Sequence, residues 1–243
     1  MTIRLMSLNI AHGRRLGPNQ LLQPRGRIQS NLDDIAALIA REDPRVVALQ
    51  EADGPSLWSG RFDHVAHLSD ASSFGWHFRG NHAPPRSGLD YGTALLCREP
   101  LDNARSRPFH QNWRDAKGFV EATLQTDNGE IDIVSVHLDF LRHEIRRRQM
   151  LALYDRFENP RRPVVILGDF NCGWTSGIAE FVDRLKLHAW VPDAGEPTFP
   201  TRMPSVRIDW VLASKRLSFK GYRTLHADKV SDHCGVVVDL DWA

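Results

Sequence analysis

The sequence carries the run PVVILGDFN from Pro163 to Asn171. Its four consecutive apolar residues, three of them β-branched, predict a short strand that is buried on both faces. Gly168 removes a side chain, and Asp169 and Asn171 follow at a spacing that on an extended backbone points both side chains the same way. We therefore expect a carboxylate and a carboxamide at the end of a buried strand. An Asx-type turn that closes the strand is the alternative at this position.

Strand and helix patterns alternate at the start of the chain. Residues 3–10 predict a first strand, and residues 25–42 predict an amphipathic helix because apolar residues recur there at helical spacing. Residues 46–50 predict a second buried strand, with Glu51 at its end. A strand, a helix and a second strand in this order are typical of a crossover unit and of an α/β fold.

The rest of the chain adds more strands than helices. Residues 118–125 and 131–137 predict a hairpin, and residues 141–159 and 178–187 predict two further helices. Other strands are expected at residues 62–68, 74–78, 93–97, 207–213, 235–240 and, more weakly, 220–225. The mixture of hairpins and crossovers predicts stacked mixed sheets.

Composition limits the class of protein. The chain has 243 residues, of which 42% are hydrophobic and 25% charged, and this suits one soluble domain over residues 1–243. A net charge of +1 excludes a protein that coats nucleic acid through overall basicity, although a local basic groove stays open. The three cysteines lack a metal-ligand spacing, and no apolar run approaches the length of a membrane helix. We therefore expect a cytoplasmic monomer with reduced thiols and no transmembrane segment.

Polar residues recur at one kind of place, beside the end of an apolar strand. They are Asn9, Glu51, His137, Asp169, Asn171, Asp209, Asp232 and His233. Asp209 lies between Ile208 and Trp210, where an unpaired carboxylate would be costly to bury, and a histidine would serve as its partner. Loops at strand ends converge in layered α/β folds, so we expect these side chains to form one site. The oxygen-rich set suits Mg²⁺ or Mn²⁺ better than zinc.

Six motifs carry a resemblance to a known family. In chain order they are Ser7-Leu8-Asn9, Leu49-Gln50-Glu51, Ser135-Val136-His137-Leu138, Gly168-Asp169-Phe170-Asn171, Arg207-Ile208-Asp209-Trp210 and Ser231-Asp232-His233. Together they resemble the endonuclease/exonuclease/phosphatase superfamily over nearly the whole chain. The resemblance implies a four-layer α/β sandwich, with two central mixed β-sheets flanked by helices. It also implies divalent-metal-dependent cleavage of phosphate esters, with Mg²⁺ or Mn²⁺ as the cofactor.

The same resemblance implies a role for each motif residue. Glu51 would be the principal metal ligand, with Asn9 and Asp232 nearby, and Asp169 would deprotonate a water that Asn171 helps to place. Asp209 would hold His233, and His137 and His233 would donate to phosphoryl oxygens. One departure is Ala11, which stands where abasic-site endonucleases carry an acidic residue. It weakens the expectation of abasic-site cleavage and of a second metal ligand there.

The loops say less about the substrate. Candidate substrate-binding residues are His12, Arg14, Arg15, His82, Lys117, Arg142 and Trp174. Each arginine is alternatively a solvated surface cation, and Trp174 is alternatively a loop anchor instead of a platform for a base or sugar. We expect a phosphate-ester substrate and a phosphodiesterase of the nuclease type. The alternatives are a phosphatase or phospholipase acting on phosphoinositide or sphingolipid head groups, and a non-catalytic binding module on the same fold.

Overall fold

Two six-stranded β-sheets pack face to face with helices on their outer faces. The computed structural model describes residues 2–84, 86–109, 116–190, 196–227 and 230–243. The strands are β1 (Ile3–Asn9), β2 (Val46–Asp53), β3 (Trp76–Arg79), β4 (Tyr91–Cys97), β5 (Asp102–Pro108), β6 (Gly118–Thr126), β7 (Gly129–His137), β8 (Val164–Asp169), β9 (Leu187–Ala189), β10 (Asp209–Ser214), β11 (Leu217–Leu225) and β12 (Gly235–Trp242). The helices are α1 (Arg25–Glu42), α2 (His64–Ala71), α3 (His143–Phe157) and α4 (Ser176–Arg184). This architecture confirms the predicted four-layer α/β sandwich with two mixed sheets.

The two sheets share one pattern of connections. The first sheet has the order β11-β12-β1-β2-β4-β3, and the second has the order β5-β6-β7-β8-β10-β9. In each sheet the two central strands are parallel and joined through a helix, β1 to β2 through α1 and β7 to β8 through α3. Their neighbours β12, β4, β6 and β10 are antiparallel to them. The four central strands therefore end at one edge of the sandwich, where β10 and β12 begin.

Alternation along the central strands explains why they are apolar on both faces. In β8, Val165 and Leu167 pack into the core between the sheets, whereas Val164 and Ile166 pack under α3 and α4. In β2, Val46 and Ala48 face the core between the sheets, and the intervening residues face α1 and α2. A strand that is covered on both sides needs apolar residues at every position.

The prediction of a strand at residues 62–68 is wrong, because α2 (His64–Ala71) occupies most of this segment. Asp63 caps the helix, and its carboxylate accepts hydrogen bonds from the backbone N–H groups of Val65 and Ala66 at 2.8 and 2.9 Å. Val65 and Leu68 then face the core at helical spacing. The short apolar run has the composition of a strand, but the hydrogen bonds to the capping aspartate stabilise the helix.

The sequence analysis did not predict two of the strands, and it placed one helix a few residues too far toward the C-terminus. β5 (Asp102–Pro108) has the sequence DNARSRP and lies at a sheet edge, where polar residues are tolerated because one side is not covered. α4 begins at Ser176 and ends at Arg184, so that Leu187 begins the short strand β9 instead of ending the predicted helix. No helix among the described residues is long and apolar enough to cross a membrane.

Gly168 is expected to be indispensable for the pairing of β7 with β8. Its φ is +150°, and a Cβ at this position would lie 2.0 Å from the carbonyl oxygen of Val136 in the facing strand. Gly168→Ala should therefore lower the free energy of unfolding by about 3 kcal/mol or more. Gly26→Ala is the matched control, because no atom lies within 4 Å of its added Cβ. Urea unfolding of both variants tests this, and an equal stability of the two would contradict it.

Candidate active site

All eight motif residues gather at the shared edge of the two sheets. Asn9, His137 and Asp169 are the last residues of β1, β7 and β8, and Asp209 is the first residue of β10. Glu51 lies near the end of β2, Asn171 follows β8, and Asp232 and His233 precede β12. The site is therefore built from six strands whose ends converge, and the rigid sheets fix its geometry.

The carboxylate of Asp169 is the centre of this site. It is buried, and its Oδ2 accepts a hydrogen bond of 3.1 Å from Asn9 Nδ2 of the other sheet. His137 Nε2 lies 3.4 Å from the same oxygen and His233 Nε2 lies 3.8 Å from it. Burial, together with the nearby Asp209 carboxylate, raises the pKa of Asp169 to about 7. A carboxylate with this pKa suits a base that works near neutral pH.

Asn171 reaches the site by a turn and not by the extended backbone expected from its spacing. Its φ is +52°, in the left-handed region, and its backbone N–H donates to Asp169 Oδ1 at 2.9 Å. This is an Asx-type turn. The Asn171 amide donates to the Leu138 carbonyl oxygen at 3.0 Å, so the loops after β7 and β8 are tied together. The structure therefore has the Asx-type turn, the alternative that the sequence left open at this position.

Asp209 and His233 form a buried pair. His233 Nδ1 lies 3.0 and 3.2 Å from the two carboxylate oxygens of Asp209, and Thr198 Oγ1 donates to Asp209 Oδ2 at 2.6 Å. Burial disfavours the imidazolium, but the carboxylates of Asp209 and Asp169 outweigh it and raise the pKa of His233 to about 10. The ring is therefore a cation near neutral pH, with Nδ1 held by Asp209 and Nε2 on the side of Asp169.

Glu51 projects into the cleft from a distorted strand. Its φ is +52°, and the pairing of β2 with β4 shifts register between Gln50 and Ala52, as in a β-bulge. A non-glycine residue in this conformation costs on the order of 1 kcal/mol or more, and such strain is concentrated at functional sites. Burial opposes ionisation of Glu51, but the cations of His12 and Lys117 outweigh it and hold its pKa below the usual range. Glu51 is therefore an anion.

His12 joins Glu51 to a second, deeper carboxylate. His12 Nε2 lies 3.3 Å from Glu51 Oε2, and His12 Nδ1 lies 2.8 Å from Asp53 Oδ1. The side chain of Asp53 is 0% exposed, so it depends on His12 as its partner. Burial lowers the pKa of His12, yet Glu51 and Asp53 outweigh burial and raise it. The imidazole therefore orients the Glu51 carboxylate.

Lys117 and His137 face Glu51 from the second sheet. Lys117 Nζ lies 2.9 Å from His137 Nε2. Burial and the Lys117 ammonium lower the pKa of His137 well below its ordinary value, so this imidazole is neutral. Burial also lowers the pKa of Lys117. These groups line a cavity of about 270 Å³ whose other walls include Trp58, Tyr91 and Phe140.

The remaining predicted residues are placed differently. Arg14 is held by Asp232, with Nη2 2.6 Å from Oδ2, and Arg15 is held by Asp34, outside the eight motif residues. Arg142 pairs with Asp139 at 2.5 Å beside the site. His82 is buried at the cavity wall, where burial and Lys117 lower its pKa to about 3. Trp174 packs on Trp210 at a centroid distance of 5.1 Å and keeps one face toward solvent.

The sequence analysis missed several residues of the site. Asp53 and Thr198 hold His12 and Asp209, and Trp58 and Tyr91 line the cavity. Ser231 was part of a motif without a role, and its Oγ donates to the Asn9 carbonyl oxygen at 2.6 Å. Asp53 had a signal, because it follows Glu51 by two residues along the same strand. Thr198 lies in an irregular loop and had no recognisable signal.

Two groups of side chains could hold a divalent cation. Ligand atoms of Asp169, Asp209 and His233 all lie within 4.8 Å of one another. However, Asp209 and His233 already bind each other, and an imidazolium repels a cation, so this group is the poorer candidate. The second group is the anionic Glu51 with Asn9 and Asp232, which the resemblance names as metal ligands and whose oxygen atoms are of the kind that Mg²⁺ or Mn²⁺ prefers.

The fold and this cluster of carboxylates, imidazoles and amides define a protein of the phosphoesterase class. A family model described as "Endonuclease/Exonuclease/phosphatase family" matches residues 6–233. The chain therefore belongs to the endonuclease/exonuclease/phosphatase family, whose members hydrolyse phosphate-ester bonds. The resemblance predicted from the six motifs is confirmed.

Solved structures share this fold at low sequence identity. An endonuclease/exonuclease/phosphatase from Beutenbergia cavernae has a TM-score of 0.80 and 22% identity, over 100% of this chain and 72% of that one. The mannosyl-6-phosphatase Bt3783 of Bacteroides thetaiotaomicron has a TM-score of 0.74 and 16% identity, over 99% of this chain and 100% of that one. D. rerio TDP2 complexed with a single-strand DNA product has a TM-score of 0.75 and 16% identity, over 99% of each chain. A search of curated protein sequences finds no match.

Removing His12 should destabilise the fold. In EDTA, His12→Ala would leave the buried Asp53 carboxylate without its hydrogen-bonding partner, and the free energy of unfolding should fall by about 3 kcal/mol. His67→Ala is the matched control, because His67 also binds an aspartate, Asp33, but that aspartate side chain is 61% exposed. The control should change stability far less, because exposed ion pairs contribute little. Equal losses in thermal melts of the two variants would show that Asp53 does not depend on His12.

Proposed function

We propose that the chain is a Mg²⁺- or Mn²⁺-dependent phosphodiesterase that uses an Asp169-activated water and the Asp209–His233 pair. The observation that carries this proposal is the continuous chain of contacts from Asp209 through His233 to Asp169 and Asn9, which lies beside the anionic Glu51. Phosphoryl transfer needs in-line positioning and positive charge where negative charge accumulates, and these residues supply both.

Each residue has a role that its contacts support. Asp169 takes a proton from water, and the turn at Asn171 fixes the orientation of its carboxylate. The imidazolium of His233 and the ammonium of Lys117 both lie near enough to Asp169 to act on its charge, and they stabilise a phosphoryl group in the transition state. Glu51, Asn9 and Asp232 would hold the cation, and the His12–Asp53 pair keeps the Glu51 carboxylate in place. When bound there, a divalent cation polarises a phosphoryl oxygen.

A phosphatase acting on a compact monoester is the second candidate. The cavity beside Lys117 and His137, about 270 Å³ in volume, would hold a single ring, and aromatic side chains form its walls. The structural likeness to a mannosyl-6-phosphatase points the same way. A non-catalytic binding module on the same fold is less favoured, because binding alone does not require a base with the raised pKa of Asp169. For the whole chain we propose one domain, a monomeric state and a cytoplasmic location.

Metal removal is the first test of this function. Protein stripped with EDTA should not hydrolyse bis-p-nitrophenyl phosphate, and Mg²⁺ or Mn²⁺ should restore turnover. Glu51→Gln should weaken the apparent affinity for Mn²⁺ about tenfold or more, because it removes the anion and keeps the shape. Glu144→Gln is the matched control at an exposed site and should bind Mn²⁺ like the wild type. Full activity in excess EDTA would overturn the proposal.

The same assay with a panel of substrates separates the two candidates. Plasmid, single-stranded DNA, RNA, abasic duplex, phosphoinositides, sphingomyelin, sugar phosphates and p-nitrophenyl phosphate should be compared, each beside Asp169→Ala. Diester hydrolysis that Asp169→Ala abolishes supports the first candidate, and hydrolysis of monoesters alone supports the second. If no phosphate ester is hydrolysed with either metal, the binding module is the better description.

The pH dependence of turnover should follow the two shifted groups. Asp169 must be deprotonated, so kcat/KM should rise as pH increases toward about 7, and bound cation will move this limb to lower pH. His233 must be protonated, so kcat/KM should fall as pH increases through about 10. His233→Gln should lower the rate about 10²–10³-fold and remove the alkaline limb. A pH profile of this variant that keeps the alkaline limb would assign that limb to another group.

A further inference from the structure

The exposed large apolar side chains of the described residues are concentrated around the mouth of the site. Eight of the ten lie in loops on the edge where the site is formed, namely Leu21, Leu22, Leu57, Phe140, Leu141, Trp174, Met203 and Val206. Of the other two, Leu151 lies on α3 and Trp190 directly follows β9. The loops of the opposite edge, all of them described, carry none. The two ends of the sandwich therefore differ sharply in apolar character.

These side chains stand on both sides of the cleft. Leu21 and Leu22 lie on a short 3₁₀ helix after β1, and Leu57 lies in the loop after β2, so all three belong to the first sheet. Phe140, Leu141 and Trp174 follow β7 and β8, and Met203 and Val206 precede β10, so these five belong to the second sheet. Leu22 and Met203, one on each side, are 75% and 79% exposed. An apolar rim thus surrounds the site on separate loops.

Arginines without an ion-pair partner are interspersed with this rim. Arg61, Arg86 and Arg202 lie in these loops and Arg25 and Arg27 in the first turn of α1, and none of the five forms an ion pair among the described residues. The acids of the same loops are paired, Asp63 and Asp90 with Arg79, Asp139 with Arg142 and Asp232 with Arg14, and Asp53 at the end of β2 is paired with His12. Glu196 is the exception in the described part of these loops. The unneutralised charge around the site is therefore mainly positive.

We propose that this rim docks on an anionic lipid bilayer and presents the site to a phosphate ester in a lipid head group. The proposal rests on the phosphoesterase function proposed above and names its class of substrate. Leucine, methionine and tryptophan side chains on loops partition into the boundary between head groups and acyl chains, and unpaired arginines are attracted to anionic lipids. A fluid surface can receive separate projecting side chains from several loops at once.

A lipid surface fits these observations better than a nucleic acid. Aliphatic side chains such as those of Leu21, Leu22 and Leu57 neither neutralise phosphates nor stack on bases, whereas nucleic-acid binding depends on both. A nucleic-acid surface would instead need a continuous basic groove. The rim has five unpaired arginines divided among separate loops and the first turn of α1.

Co-sedimentation with vesicles tests the proposal. The wild type should bind vesicles that contain phosphatidylserine more tightly than vesicles of phosphatidylcholine alone, and tryptophan emission should shift to shorter wavelength as Trp174 enters the bilayer. Leu22→Ser and Met203→Ser should each weaken vesicle binding about tenfold, since each removes one apolar side chain that the bilayer would bury. Arg202→Glu should weaken binding to anionic vesicles by a similar factor. Leu151→Ser is the matched control, on α3 away from the rim, and should bind like the wild type.

Parallel assays keep failure of this proposal distinct from failure of the proposed function. Leu22→Ser and Met203→Ser should hydrolyse soluble bis-p-nitrophenyl phosphate at the wild-type rate, because neither residue belongs to the site. Equal binding to both kinds of vesicle, or equal loss in Leu151→Ser, would overturn the lipid surface and leave the phosphoesterase function standing. Tighter binding to fluorescent single-stranded DNA than to anionic vesicles would also overturn it, in favour of a nucleic-acid surface. Vesicle binding by a protein that hydrolyses no phosphate ester would contradict the proposed phosphoesterase function and leave the lipid surface standing.

Discussion

The hydrogen bond from Asn9 Nδ2 to Asp169 Oδ2 is the contact on which the arrangement of this site depends. It joins the last residue of β1 in the first sheet to the last residue of β8 in the second. Asp169 is buried, and a buried carboxylate is tolerable only when hydrogen-bond donors or cations surround it. Asn9, the Asn171 backbone, His137 and His233 meet that need from four different segments. The demand of one carboxylate for partners therefore brings the two halves of the chain into register at this edge.

A second set of polar contacts consists of hydrogen bonds between the two sheets, one step along the strands from the site. Gln50 Nε2 of β2 donates to Ser135 Oγ of β7 at 3.2 Å, and Ser135 Oγ donates to the Leu49 carbonyl oxygen at 2.9 Å. All three residues are buried, and hydrogen bonds in such surroundings are strengthened by the low local dielectric. The apolar core deeper in the sandwich allows many relative positions of two sheets, but this polar layer allows few. Glu51 and His137 follow these residues in β2 and β7, so the same hydrogen bonds fix the position of one site residue relative to the other.

The sheets and the motif residues could be predicted because both correspond to local patterns in the sequence. Continuous apolar runs mark strands that are covered on both faces, as β2 and β8 are, and polar residues beside the ends of such runs mark the site. The segment of α2 was predicted as a strand because its eight residues hold little more than two helical turns, too few for a clear periodic pattern. The hydrogen bonds that Asp63 accepts at the start of the segment favour the helix. Asp53 and Thr198 were not predicted as site residues for another reason. Their roles depend on contacts with His12 and Asp209, and a contact between residues that are separated in the sequence cannot be inferred from residue type or spacing.

Backbone strain explains why the site could not be drawn from ideal strand geometry. Glu51 and Asn171 both have φ near +52°, and so does His12, although none is glycine. Each such residue costs on the order of 1 kcal/mol or more, so the three persist only because surrounding contacts outweigh that cost. Those contacts are the His12–Asp53 bond, the Asn171 turn onto Asp169 and the bulge in β2. Ideal extension would turn the Glu51 and Asn171 side chains in other directions. The same departures that weaken regular strand pairing therefore aim the polar groups at one point, between loops that carry exposed apolar side chains outward.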